Sequence, residues 1–365
     1  MRKDYFGHVK VPLKRIHLEL TNVCDFNCTF CPKSQMTRPP GFMETGLARR
    51  IIKEIAENGL CEKVTFHVMG EPTLHRDFFD ILSHAQDVGV KVGLATNGGG
   101  LGGETGKRLL EYDLHQIDVS LQTPDARSFA LRKARSHTFD SYVAGILSFF
   151  HAYKSKGRDG VFKFRFLNTR FRKREMEKSV GQLQVLSSTQ ELREALNDWA
   201  GRVYDLVGAT EGQRTLARQR IGRLAPYKWN VVEVCPGVFF ETYLLEEWGH
   251  AFGNGDIRDA WGGYCFGMKD HFAVLCNGDV TLCCVDFDGR TKVGNLNHSS
   301  LREILSSDTI KRIIEGFGRL QLVHPHCARC LGSRTVLSWV FKPIVSATVL
   351  KTLKPFFYKH TRLYE

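Results

Sequence analysis

No run of about 18 consecutive apolar residues occurs in the 365-residue chain, so no segment reads as a transmembrane helix. The N-terminal stretch MRKDYFGHVKVPLKRIH lacks the apolar centre of a secretory signal. These two absences point to a cytoplasmic protein. Nucleic-acid signatures are missing too: there is no zinc finger, no RRM signature and no alternation of basic with aromatic residues. The formal charge of +12 is therefore read first as a solvated basic face, although an anionic membrane or an acidic substrate would also suit it. Much of it lies in residues 170–228, with 12 Lys and Arg against 7 Asp and Glu, and in residues 331–365, with 6 against 1. An even set of cysteines for a disulfide framework is also lacking. Eleven cysteines in a long chain of this kind argue for metal ligation, with oxygen sensitivity as the consequence. A composition of 42% hydrophobic and 25% charged residues is that of an ordinary globular chain, long enough for one large domain and a smaller one.

The most informative stretch is LTNVCDFNCTFCP, residues 20–32, where Cys24, Cys28 and Cys31 are spaced C-x3-C-x2-C. No fourth cysteine or histidine lies nearby. Three soft thiolates suit a 4Fe-4S cubane with one iron left open, where a small molecule can chelate metal and receive an electron. The alternatives are a zinc knuckle lacking its fourth ligand, or three unrelated buried cysteines.

From residue 15 onward, short apolar strands alternate with helical patterns. Strands are predicted at Arg15–Leu20, Lys63–Val68, Val90–Ala95, Gln116–Leu121 and Val161–Leu167, with Val231–Cys235 as a sixth. Helices are predicted from Thr45 to the Asn58-Gly59 stop, over Asp77–Val88, around Glu104–Tyr112 and near Phe139–Tyr153. Strands separated by single helices imply right-handed crossovers and a parallel sheet, with chemistry at the strands' C-terminal ends. The cysteine loop, Gly70-Glu71, Thr96-Asn97 and Ser120-Leu121-Gln122 all fall at such ends, hence on one rim. Residues 168–174 read as a basic loop and 175–223 as two or three polar amphipathic helices.

The cysteine spacing, with Phe30 beside the last cysteine, resembles the signature of the radical S-adenosylmethionine (radical SAM) superfamily. That resemblance implies an α/β fold, a partial (β/α)6 barrel over residues 13–240 with a helical insertion at about 172–228. It also implies that the cluster on Cys24, Cys28 and Cys31 binds SAM and cleaves it reductively to a 5'-deoxyadenosyl radical. Met69-Gly70-Glu71-Pro72 resembles the family's strand-two motif, in which backbone and acidic side chain meet the amino group of SAM; here Met69 stands in place of a glycine. Asn97 and Ser120 match cofactor-contacting positions at the ends of strands three and four. Arg165 is a candidate cation for the cofactor carboxylate. A flavodoxin- or ferredoxin-type electron donor is the partner such chemistry implies. Cys235, at the end of the sixth predicted strand, is a candidate hydrogen-atom donor, with a buried structural cysteine as the alternative.

A second constellation occupies residues 260–332. Cys265, Gly278, Cys283 and then Cys327-x2-Cys330 surround an Asn277-Gly278-Asp279 turn and a Val293-Gly294-Asn295-Leu296 segment. The pattern resembles the auxiliary-cluster module called SPASM, or Twitch in its short form, and a C-x2-C-x5-C-x3-C run for a further cluster is absent. The resemblance implies one auxiliary 4Fe-4S cluster on Cys265, Cys283, Cys327 and Cys330. Cys276 or Cys284 could replace Cys283, and a zinc site is the alternative for the whole set. Residues 333–365 form a basic, aromatic-rich tail that could touch a membrane surface or pack on the barrel.

The expected activity is hydrogen-atom abstraction leading to oxidation or epimerisation of a small sugar- or aminocyclitol-like molecule. The alternative is maturation of a ribosomally made peptide by crosslink, thioether or epimer formation. Only 23 residues precede Cys24, which leans against a fused leader-binding domain, although such a domain can be a separate protein. A third reading is a non-catalytic iron–sulfur electron-transfer protein.

Overall fold

The computed structural model describes residues 4–169, 185–225, 229–244, 257–346 and 348. Most of the basic loop at 168–174, the start of the helical insertion and the tail from residue 349 lie outside the described residues.

A two-strand hairpin, β1 (Tyr5–Phe6) and β2 (Val9–Lys10), precedes one ten-stranded sheet. Its centre is parallel and runs β3 (Arg15–Leu18), β4 (Val64–Phe66), β5 (Val92–Thr96), β6 (Gln116–Gln122) and β7 (Val161–Asn168). Each crossover carries a helix: α1 (Thr45–Asn58), α2 (Phe78–Asp87), α3 (Glu104–Leu109), then the short α4 (Ala126–Phe129) and α5 (Phe139–Ser155). The period of two decides which side chains go where. On β7, Phe162, Phe164 and Phe166 are fully buried towards the helices, and Lys163 and Arg165 alternate onto the other face. Phe164 and Phe166 meet Trp199 of the insertion helix Thr189–Val207, whose indole N–H donates to the carbonyl of Pro124 at 2.9 Å. The insertion is thus packed on the outside of the barrel.

The sixth parallel strand is not the one expected. It is β9 (Val238–Leu244), paired with β7, and β8 (Asn230–Cys235) folds back antiparallel as the sheet edge. The reason is the turn at Cys235-Pro236-Gly237, where Gly237 takes φ +70° and reverses the chain. Both runs are apolar enough for strands, and only the pairing tells them apart.

At the other side, β10 (His271–Val274) adds to β3 in parallel, followed by antiparallel β11 (Asp279–Thr281) and β12 (Gly294–Asn295). The cysteine-rich module therefore continues the barrel sheet. A buried ion pair fastens the junction. Glu19 takes both Arg38 nitrogens, at 2.8 and 2.9 Å, and also accepts the backbone N–H groups of Met69 and Cys276. Arg38 Nε donates to the carbonyl of Phe287 at 2.8 Å. One carboxylate so joins the end of β3, the tail of the cysteine loop, the end of β4 and the module.

Candidate active site

The parallel strands end around a cavity of about 250 Å³ lined by Cys24, Cys28, Cys31, Phe30, Gly70, Asn97, Ser120 and Arg165 among others. Residues from Cys24 to Val285 in sequence thus meet at one place. Gly70 has φ +73°, and a Cβ there would press on the carbonyl oxygens of Thr21 and Val23. Only glycine lets the β4 loop lie against the cysteine loop.

The loop is held from two directions. Asn97 Nδ2 donates to Asp25 at 2.6 Å and to the Cys24 sulfur at 3.6 Å. Arg132, fully buried, donates to the carbonyls of Ser120 and Leu121 and to the Tyr142 hydroxyl at 2.6–2.7 Å, and reaches the Cys28 thiol. Its guanidinium also lies over the Phe26 ring at 4.7 Å. Sequence reasoning missed Arg132, because it follows β6 in a segment with no motif. It also missed His67, Trp229 and Tyr243, which line the same cavity. Period-two counting past Phe66 would have turned His67 inward, and a correct sixth strand would have done so for Tyr243.

Glu71 departs from its expected role. Its carboxylate is buried and accepts from Asn97 N–H at 2.6 Å, Thr96 Oγ1 at 2.9 Å and Thr73 Oγ1 at 2.8 Å. It lies behind the rim and braces the end of β5, and its bonds are spent within the protein. Burial pushes its carboxyl above the usual range despite these donors. Arg165 lines the cavity while pairing with Glu241, its cross-strand neighbour, at 3.1 Å. Cys235 is misplaced for hydrogen donation. It pairs with Val238 at the start of β9, the end of the sheet opposite the cysteine loop, and is buried. That position fits the structural reading.

The second set converges differently. Burial and the neighbouring thiols of Cys265, Cys284 and Cys330 push the Cys283 thiol well up. Burial and Cys265 likewise raise Cys327 and Cys330, the latter to about 11. Cys276 is apart from them, against Arg38, with the guanidinium donating to its sulfur at 3.6 Å. Cys283 and Cys284 sit just past β11 in a bend rather than within a strand. They still diverge: Cys284 and Val285 line the cavity and Cys283 does not.

Both sets suit iron–sulfur clusters by the chemistry of their donors. Burial holds Cys24 and Cys31 up at about 11, so these thiols ionise only beside strong positive charge, which iron supplies. Cys24, Cys28 and Cys31 would hold one cluster, and Cys265, Cys283, Cys327 and Cys330 the other.

A parallel partial barrel with a three-thiol loop on its rim and a cysteine module on its edge defines an iron–sulfur protein of the radical SAM type. Residues 18–160 match the radical SAM superfamily, and residues 265–331 match the SPASM iron–sulfur cluster-binding domain. The chain thus carries a radical SAM domain and a SPASM domain, which bring SAM, its 4Fe-4S cluster and auxiliary cluster binding. Among curated relatives, the AdoMet-dependent heme synthase of Methanosarcina barkeri is 29% identical over 54% of this chain and 52% of its own. The GTP 3',8-cyclase of Vibrio cholerae serotype O1 is 33% identical over 36% and 40%. The match thus spans about half, or less, of these relatives' length. Streptococcus suis SuiB bound to S-adenosylmethionine has a TM-score of 0.52 at 15% identity, over 85% of this chain and 69% of that one. anSMEcpe with bound AdoMet has 0.51 at 17%, over 88% and 89%. Both show the fold.

Proposed function

We propose that the protein cleaves SAM reductively and abstracts a hydrogen atom from a substrate held between the cysteine loop and Cys284-Val285. The carrying observation is that a single cavity is lined both by the three-cysteine loop and by the auxiliary module. When bound, the rim cluster supplies the electron that turns SAM into a 5'-deoxyadenosyl radical, and a flavodoxin- or ferredoxin-type protein is the donor this requires.

The chain's own residues do the positioning. Arg132 and Asn97 fix the cysteine loop. Arg165 has five N–H donors, so its pair with Glu241 leaves donors for an anionic group in the cavity. His67 lines the cavity and is held neutral by burial, at about 4, so it presents an uncharged imidazole to hydrogen-bond a polar substrate group. The polar wall of Ser120, Gln122, Arg165 and Tyr243 favours a small hydroxylated substrate, sugar- or aminocyclitol-like, oxidised or epimerised at a polar carbon.

A peptide substrate is the second reading. Structures of similar fold were solved with peptides: SuiB with precursor peptide SuiA, and anSMEcpe with the Kp18Cys peptide. Trp229, half exposed at the cavity, would suit an extended chain.

The test is to incubate anaerobically reconstituted protein with SAM and dithionite. Formation of 5'-deoxyadenosine is expected; none above a protein-free control would leave the electron-transfer reading. Deuterium passing from a labelled sugar, or from a labelled peptide, into 5'-deoxyadenosine then separates the two substrate classes.

A further inference from the structure

Arg132 is a buried cation with no carboxylate of its own. It is 1% exposed, and its guanidinium donates to neutral oxygens: the carbonyls of Ser120 and Leu121 at 2.7 and 2.6 Å, the Tyr142 hydroxyl at 2.7 Å and the Asn97 carbonyl at 3.2 Å. Among the described residues no Asp or Glu pairs with it, whereas Arg38 and Arg165 pair with Glu19 and Glu241. Its Nε is buried and has no hydrogen-bond partner. Burial pushes the Tyr142 and Tyr243 phenols, beside it, up to about 12, so both stay neutral. A cation buried without a counter-charge is strongly unfavourable, and neutral dipoles offset only part of that. The arrangement calls for an anion beside Arg132.

The groups placed to supply it are the rim thiols. The guanidinium reaches the Cys28 thiol, and its charge is felt at Cys31. The main chain fixes this approach. Asn27 N–H donates to the Arg132 carbonyl at 3.2 Å and Thr29 N–H to the Leu131 carbonyl at 2.8 Å, one on each side of Cys28. The guanidinium is clamped as well, by Ser120 and Leu121 of β6, Asn97 after β5 and Tyr142 of α5, with the Phe26 ring 4.7 Å away. We propose that Arg132 is the counter-charge of the cluster on Cys24, Cys28 and Cys31 and raises its reduction potential, a reading that rests on these three cysteines being the rim ligands. The electron arriving from the donor protein makes that cluster more negative. A fixed cation in a dry site stabilises the reduced form more than the oxidised one, so Arg132 eases the entry of the electron. Asn97 gives the Cys24 sulfur a hydrogen bond at 3.6 Å without a charge, so its effect is the smaller.

The test is an anaerobic potentiometric titration of the reconstituted full-length chain. The reduced rim cluster is followed by electron paramagnetic resonance and identified as the signal lost when Cys24, Cys28 and Cys31 are replaced by Ala. Arg132→Gln should lower its potential by at least about 59 mV, a tenfold change in a one-electron equilibrium, while the auxiliary signal titrates as in the parent. Arg132→Lys keeps the charge without the planar fork and should stay within about threefold of the parent equilibrium. Tyr142→Phe removes an acceptor and no charge, and should leave the potential where it is. Equal shifts for Gln and Lys, or a parental potential in an Arg132→Gln chain that retains its rim iron, would overturn the proposal, because the charge would then be idle. If Arg132→Gln holds no rim iron, a rim cluster kept by Arg132→Lys at the parental potential supports the charge; loss from both, or a shifted potential in the Lys variant, overturns it. A signal that survives the triple Ala substitution would refute the rim-ligand reading and the proposal with it. The titration requires no SAM cleavage, so failure to form 5'-deoxyadenosine would count against the proposed function and leave this result standing.

Discussion

Replacing Arg38 by Met removes the charge and keeps the stem, so it tests the Glu19–Arg38 junction directly. The pair is bidentate at 2.8 and 2.9 Å, with side chains 8% and 0% exposed. Met leaves the Glu19 carboxylate buried with only the N–H groups of Met69 and Cys276, and loses the bond to Phe287. Uncovering a buried charge in this way costs about 3–5 kcal/mol. An unfolding entropy of about 2.1 cal/mol/K per residue over 365 residues gives roughly 0.8 kcal/mol/K, so the melting temperature should fall by about 4–6 °C. The measurement is an anaerobic thermal melt on samples matched in iron content, because bound clusters also stabilise. Glu19→Gln added to Arg38→Met should recover part of the loss, since no charge is then stranded, although the amide oxygen keeps only one of the two N–H groups, which bind different carboxylate oxygens in the parent. A fall below about 1 °C for Arg38→Met, or no recovery in the double variant, would refute an energetically coupled pair.

Replacing Cys24, Cys28 and Cys31 together by Ala should reduce iron from about eight to about four per chain and abolish 5'-deoxyadenosine formation; residual iron near zero or eight contradicts two independent sites. Cys283→Ser should lose about four irons and Cys284→Ser none, read by the same iron assay, and the reverse result would exchange their roles. Gly70→Ala should destabilise the chain by at least about 2 kcal/mol, because a positive φ and a backbone clash add, seen as a lower melting temperature with reduced iron in the rim site. Burial holds His67 and His271 down at about 4 and His17 well below its usual value. Such groups give stability that is complete above about pH 6.5 and is lost as pH falls towards 4, by about 1.4 kcal/mol per unit for each group. His271→Asn should therefore flatten the melting temperature between pH 7 and 5, and an unchanged slope would sink this account.

What could be read in the sequence was whatever depends on local spacing. Strands β3 to β7 and α1, α2 and α5 were legible because apolar period and cap residues act within a few positions, as Gly59 shows by ending α1 with φ +56°. The common rim for the cysteine loop, Gly70, Asn97 and Ser120 followed from the parallel rule alone. Three things were not legible, each decided by a contact between distant segments. Pairing with β7 chose β9 over β8 as the sixth parallel strand, which moved Cys235 to the far end. Glu71 could be aimed at a cofactor from its motif, but Thr73, Thr96 and Asn97 bind it first. Arg132 has no motif at all, and its role exists only because α5 brings Tyr142 beside the loops.

The addition of β10 to β3 has the widest chemical consequence. Parallel pairing of Phe272 with Ile16 and of Val274 with Leu18 sets the module in fixed register with the strand that leads into the cysteine loop. The chain leaving β11 first passes the buried cysteine set at Cys283 and then reaches the cavity wall at Cys284. The two adjacent thiols thus face different places, Cys283 among the buried auxiliary cysteines and Cys284 on the cavity wall with Arg165, although Cys284 still feels the Cys265 thiol. One peptide unit separates the cavity wall from the buried cysteine set. A module joined by a flexible linker could not hold that separation, and the sheet register together with the Glu19–Arg38 pair does.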